Sequence, residues 1–253
     1  MAKITLDNVT VDFPIYGAHS HSLRQTLLGR TGGNIRHEGS RRQHVVVRAL
    51  ESLSFVLNDG DRVGLVGHNG AGKSTLLRVL AKVYAPTTGT IRIEGRISSL
   101  FNTSPGLDMD DTGYENILTC GLFLGMTPAE IRRKTPEIAE FSELGEYLML
   151  PVRTYSTGMV TRLGYAIATS VDPNILLLDE GLATGDARFA ARAEARFAHL
   201  IGRSSILVLA SHSDAMIRSM CNRAILMESG KMLAFGEVNE IFDLYQKRMA
   251  ETA

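Results

Sequence analysis

Residues 63–78 read VGLVGHNGAGKSTLLR. Gly67, Gly72, Lys73 and Ser74 fit the spacing G-x-x-x-x-G-K-[ST], with an apolar strand-like run before it and a helical pattern after it. At average composition the spacing arises by chance in about one chain in a hundred, and the strand–loop–helix context makes an ordinary glycine-rich turn a poor alternative. Glycines let the backbone curl so that N–H groups point inward at an anion. In this loop those donors run through His68, Asn69, Gly70 and Ala71 to Lys73, Ser74 and Thr75. A helix starting near Lys73 presents its positive dipole end to the same point. The Lys73 ammonium then reaches the outer phosphates of a nucleotide, and the Ser74 hydroxyl ligates magnesium.

Such a loop needs an acid at the end of another buried strand. NILLLDE supplies two, Asp179 to hold magnesium through water and Glu180 to orient and deprotonate an attacking water. LVLASHSD places His212 just past a further apolar strand. A lone histidine is more often structural or exposed. This one follows a strand expected beside the phosphate-loop strand, within reach of a terminal phosphate. A fourth element is RTYSTGMVTRL, residues 153–163. Ser156 is placed to cap a helix with Gly158 in its first turn, which makes a second anion site. One phosphate loop already surrounds one nucleotide, so a second anion site points to a nucleotide shared between two chains.

Around these motifs, strand-like runs recur at KITLDNVTVDF, VVVRALESLSFVL, GTIRIEGRISSLF and RAILMESGKMLAF, with helical patterns between the later ones. The short all-apolar runs 175–178 and 206–209 suit a parallel sheet buried on both faces. The early strands cluster without helices, and residues 103–170 are mostly helical. The expected fold is an α/β core with an antiparallel β lobe and an inserted helical subdomain, as one domain over 1–253. Lys plus Arg equals Asp plus Glu at 27 each, so charge gives no sign of a nucleic-acid partner. Cys120 and Cys221 lack metal or disulfide spacing and suit two buried thiols in a reducing compartment. No run approaches the ~18–20 apolar residues a membrane span needs, and the N-terminus has no signal-peptide pattern. Residues 17–44 are basic, with Arg24, Arg30, Arg36, Arg41 and Arg42 against the single acid Glu38. Leu23, Leu27 and Leu28 there have helical spacing, and the Gly- and Ser-containing remainder is loop-like. The segment is either a solvated insertion or a short helix lying against a membrane or a membrane partner.

The order of these motifs resembles the ATP-binding cassette (ABC) ATPases over nearly the whole chain. The family commonly carries Leu-Ser-Gly-Gly-Gln where this chain has Tyr155-Ser156-Thr157-Gly158-Met159. The serine and the second glycine match and three positions depart, keeping the hydroxyl and the backbone donors. The resemblance implies that Phe13 takes the place of the aromatic stacking on adenine, that Asp186 matches the aspartate of the loop after the second acid, and that His212 matches the switch histidine. The family glutamine before the helical subdomain is replaced by Asn102, a shorter amide that would have to reach magnesium or its water. GRISSLF, TGYENI, YSTGM, LATGD and the 17–44 insertion look like the subfamily exporting lipid-linked polysaccharides such as O antigen, teichoic acid or capsule, where the insertion contributes a membrane-proximal helix. Some members carry a C-terminal carbohydrate-binding domain, and a chain stopping at Ala253 is expected to lack it.

The resemblance thus implies a magnesium-dependent ATPase that sandwiches two ATP between two head-to-tail copies. It also implies a transmembrane permease partner, a lipid-linked polysaccharide cargo, and a position on the cytoplasmic face of the cell membrane. The rival readings are an ABC transporter ATPase with another cargo and a soluble, non-transport ABC ATPase.

Overall fold

A computed structural model describes residues 1–15, 34–38, 44–101, 106–179 and 187–252. Its contacts divide into two compact units, one made of Met1–Ile97, Leu177–Glu180 and Ser205–Ala253, the other of Ser98–Leu176 and Gly181–Ser204.

The first unit contains two sheets. Strands β1 (Lys3–Ile15), β2 (Asn34–Glu38), β3 (His44–Asn58), β4 (Arg62–Val66) and β5 (Thr88–Glu94) come early in the chain. The first sheet has the order β2-β3-β1-β5, antiparallel at each junction. Period-two alternation buries Ile4 and Leu6 from β1 and Leu53, Phe55 and Leu57 from β3. The edge strand β2 corrects the loop-like reading of NIRHE, since Asn34 to Glu38 pair residue by residue with Arg48 to His44. Local composition favoured a loop, but the long β3 offers a second ladder edge whose backbone groups need partners. The leucine-bearing part of the basic insertion lies outside the described residues.

Strands β7 (Ile175–Asp179), β8 (Ile206–Ala210), β9 (Arg223–Glu228) and β10 (Lys231–Glu237) belong to the second sheet, which contains the order β10-β9-β4-β8-β7. β4 pairs in parallel with β8 and with β9, and Val63, Leu65, Leu207 and Leu209 are fully buried. The near-continuous apolar strands are what two-sided burial requires. RAILMESGKMLAF reads as one run but folds as the hairpin β9–β10. Its turn residues Ser229 and Gly230 both have positive φ, 49° and 80°. Helices α1 (Lys73–Leu80), α6 (Asp214–Met220) and α7 (Val238–Thr252) complete this unit. GTIRIEGRISSLF is also split: β5 ends at Glu94, and Gly95, at φ 118°, precedes the separate strand β6 (Ile97–Leu100).

The second unit is largely helical, with α2 (Gly113–Phe123), α3 (Pro128–Ser142), α4 (Thr157–Ala168) and α5 (Ala187–Arg203). Two 3-10 turns, Gly145–Met149 and Val152–Thr154, precede α4. α2 and α3 each open on a capping box, Thr112 with Glu115 and Thr127 with Glu130, so their first N–H groups are satisfied locally. Phe141, Tyr165 and Phe189 form an aromatic centre with ring separations of 5.3–6.2 Å. Burial pushes the Tyr165 phenol up to about 12, and its hydroxyl donates to the Ala193 carbonyl at 2.7 Å. The Arg196 guanidinium lies 4.3 Å from the Phe141 ring centre. Cys120 and Cys221 are both free and buried, and desolvation raises their thiols to about 11 and 12. Among the described residues, no helix is long and apolar enough to cross a membrane.

Asn116 fixes the approach to α2. Its amide donates to the carbonyls of Asp108, Asp111 and Thr112, while its oxygen accepts from the Asp108 N–H at 2.8 Å. The residue is fully buried. Truncation would take these side-chain bonds from the Asp108 N–H and carbonyl and leave a cavity where the amide was. Asn116→Ala is expected to destabilise the chain by about 2–3 kcal/mol, read as a lower urea midpoint at an unchanged m-value.

Candidate functional site

The phosphate loop leaves the C-terminal end of β4 and is held from outside by main chain. Gly67 has φ 147°, and a Cβ there would lie 2.2 Å from the Met227 carbonyl oxygen. Gly72 has φ 105°, with the Ala49 oxygen 3.0 Å from where its Cβ would be. Side chains are excluded at both points by backbone that cannot move aside. The hairpin turn locks the arrangement: Gly230 N donates to Ala71 O at 3.0 Å, and Gly230 O accepts from Glu51 N at 2.8 Å. The loop is therefore wedged between β3 and the β9–β10 turn. α1 begins at once, with Gly72 as a cap that offers no side-chain acceptor to the first-turn N–H groups.

Lys73 is buried, and its ammonium curls back onto the carbonyls of Gly67 at 2.5 Å and His68 at 3.2 Å. A buried cation requires such acceptors, and the contacts set Lys73 directly over the loop. His68 turns its Nδ1 to the Asn69 carbonyl at 2.7 Å, while Asn69 and Gly70 are exposed at the loop's tip. Ala71 packs inward, and Thr75 follows in the first helical turn. Ser74 Oγ donates to Asp179 Oδ1 at 3.3 Å across 105 residues of sequence. These two oxygens suit magnesium, which takes one or two protein oxygens and completes its shell with water and phosphate.

Asp179 ends β7 and His212 follows β8 by two residues, so both emerge at the sheet end from which the phosphate loop departs. Ligands of open α/β sheets bind at that end. His212 is exposed. Phe13 sits on β1 opposite Val47 of β3, half-buried, with its ring 5.1 Å from that of Tyr84. In the second unit Ser156 caps α4, its hydroxyl accepting from Met159 N at 3.3 Å. Thr157 and Gly158 are exposed in the first turn. Among the described residues, a Cβ at Gly158 would meet only the Ser156 hydroxyl, 4.0 Å away. Glu180, Asn102 and Asp186 lie outside the described residues.

Residues 50–183 match the family described as ABC transporter. The chain belongs to that family. The O-antigen export system ATP-binding protein RfbE of Yersinia enterocolitica is 50% identical over 231 residues, 91% of this chain and 96% of that protein. The protein RfbB of the same description from Klebsiella pneumoniae is 34% identical over 247 residues, 98% of each chain. A dimeric post-hydrolysis form of the ATP-binding cassette MJ0796, bound to ADP and Pi, has the same fold. Its TM-score is 0.62 at 19% identity, over 93% of this chain and 98% of that one.

This ABC transporter subunit binds and hydrolyses ATP. Sequence reasoning found the loop but missed its brace, the Glu51–Gly230–Ala71 contact. The signal lay in the Ser229–Gly230 pair inside an apolar run, a hairpin-turn pattern. It also missed Tyr84, which no periodicity marks. Removing the buried ammonium takes away charge-assisted contacts to phosphate. Lys73→Ala is therefore expected to weaken ATP binding by ~10- to 100-fold, measured by titration of a fluorescent ATP analogue.

Proposed function

We propose that this chain is the ATPase subunit of an exporter of lipid-linked polysaccharide, working as a pair of copies on the cytoplasmic face of the cell membrane beside a separate transmembrane permease. The observation carrying the cargo assignment is the 50% identity, across 96% of its length, to a protein described as an O-antigen export ATP-binding protein. The whole chain, 1–253, acts in this reading as one ABC ATPase domain with residues 103–170 as its helical subdomain.

In the proposed cycle Phe13 stacks on adenine, and the N–H groups from Gly67 to Thr75 and the Lys73 ammonium take the phosphates. Ser74 and Asp179 hold magnesium, with Asn102 reaching it or its water. Magnesium, when bound, would neutralise charge building on the outer phosphates. Glu180 takes the proton of the attacking water, and His212 donates toward the terminal phosphate. Ser156, Thr157, Gly158 and Met159 of the second copy close the other side, with Asp186 beside the junction. Gly158 supports this part of the reading. Glycine in a helix costs about 1 kcal/mol against alanine, and no neighbour among the described residues requires it. A surface meeting another copy's nucleotide would.

The permease is supported by an exposed apolar stripe on the helical unit. Tyr114, Leu118 and Leu122 recur every four residues on α2, ending at Phe123, which is 76% exposed. Tyr147 and Met149 extend it from the adjoining turn, where Leu148 packs on the start of α2. Exposed apolar side chains clustered in this way are a common mark of a protein interface.

Two substitutions separate the parts of the cycle. Gly158→Glu should leave ATP binding by one chain within about 2-fold of normal yet abolish ATP-induced dimerisation and hydrolysis. Hydrolysis at the normal rate would remove residues 156–159 from the site. Glu180→Gln should trap an ATP-bound dimer without turnover, seen by size-exclusion chromatography. For the cargo, deletion of the gene should strip the surface polysaccharide and leave its lipid-linked form inside the cell. Unchanged surface polysaccharide would return the chain to the wider set of ABC transporters.

A further inference from the structure

The phosphate loop and the strand carrying Phe13 are joined by a short rigid segment that no motif covers. After α1 the chain does not wander: Lys82 N donates to Val79 O at 3.0 Å, and Val83 N and Tyr84 N both donate to Arg78 O, at 2.8 and 3.3 Å. Lys82 takes a left-handed φ of 61°, which turns the chain back on the helix end. Three residues past Tyr84 the segment is fastened to β1. Thr87 N donates to Thr10 O at 2.8 Å, and the Thr87 hydroxyl accepts from Asp12 N at 2.9 Å, next to Phe13. Asp12 in turn is gripped by Arg48 through two contacts of 2.8 Å. Tyr84 thus stands on a base tied to α1 at one end and to β1 at the other.

From that base its ring meets Phe13 at a centroid separation of 5.1 Å and an interplanar angle of 74°. This edge-to-face geometry is the favoured aromatic arrangement. A perpendicular neighbour covers at most one face of Phe13. A phenylalanine near a strand end, half-buried, has no polar atom to fix its ring plane. Only a neighbouring surface can do so.

We infer that Tyr84 is a positioning residue for base recognition: it holds the Phe13 ring in the plane that stacks on adenine and ties that plane to the helix gripping the phosphates. This rests on the proposed role of Phe13. The rigid link means that base and triphosphate are presented at a fixed spacing, set by residues 73–87. The bond network holds Tyr84 in place without nucleotide, so the ordering cost of the platform is met before binding.

The test is binding of ATP and of inorganic triphosphate, without magnesium, to the full chain by calorimetry. Edge-to-face pairs are worth enough that Tyr84→Ala should weaken ATP ~2- to 10-fold, approaching the loss in Phe13→Ala. Tyr84→Phe should restore it, and the double substitution should be no weaker than Phe13→Ala alone. Inorganic triphosphate, which has no base, should bind all four variants alike. If Phe13→Ala weakens ATP but Tyr84→Ala does not, Tyr84 has no part in recognition. Additive losses would mean that Tyr84 acts independently of Phe13, and equal losses for ATP and triphosphate would mean damage to α1; either result overturns the inference. An ATP affinity unchanged by Phe13→Ala would instead remove the base platform itself.

Discussion

The contact on which the nucleotide site depends is made entirely of backbone. Gly230, in a two-residue turn, donates to Ala71 inside the phosphate loop and accepts from Glu51 on β3. Between these contacts Gly67 and Gly72 lie so close to the Met227 and Ala49 carbonyls that a side chain at either would collide with main chain. The loop keeps its curl because it is clamped from behind, and its inward N–H groups are free of that work. Preorganised donors need not reorganise as charge arrives, which is where electrostatic stabilisation gains most of its effect. The same clamp explains why two sheets are needed. One supplies β3 and the other supplies β4 and the β9–β10 turn, and the loop sits where their backbones meet.

The grouping of the phosphate loop with Asp179 and His212 then follows from the topology of the second sheet. Parallel pairing aligns the C-terminal ends of β4 and β8, and β7 lies beside β8. The loop, His212 and Asp179 therefore emerge at one end, although they are spread over about 140 residues of sequence. The 3.3 Å approach of Ser74 to Asp179 is the local measure of that alignment. The helical unit does its work differently. Val152 N and Arg153 N donate to the carbonyls of Asp111 and Met109, so the turn before α4 is bonded to the loop that Asn116 secures. Ser156 then caps a helix whose first turn projects an uncovered glycine. The rigidity behind that turn and the bareness of its tip are what the proposed closure on a second copy would require, since such a surface must neither yield nor obstruct.

What could be read from the sequence had short range or a fixed spacing. The phosphate loop, the capping role of Ser156 and the all-apolar strands each carry their signal within about ten residues. What could not be read depended on partners far away in sequence. NIRHE is polar and flanked by Gly and Ser, and only the free edge of β3 makes it a strand. GTIRIEGRISSLF and RAILMESGKMLAF look continuous because apolar composition does not reveal where a ladder ends. In the second case a positive-φ pair breaks the run, and in the first the break falls at Gly95. Glu51 carries no recognisable signal in the sequence, and Gly230 shows there only as half of a turn pair. Their importance is a matter of hydrogen bonds closed across 179 positions.

Tyr84 belongs to the same class. In sequence it is one aromatic in a turn, and in space it touches the residue that the family resemblance places against adenine. Its position also bears on how the two ends of the nucleotide are coupled. A triphosphate grip alone is indifferent to the base, because phosphate donors recognise charge and geometry only. Discrimination requires that a flat surface stand at a set distance from that grip. In this chain the distance is fixed by α1 and the 82–87 turn, and the bonds to Thr10 and Asp12 keep the strand from drifting away from it. On the proposed role of Phe13, base recognition rests on the spacing between two rigid elements, and no single stacking residue carries it alone.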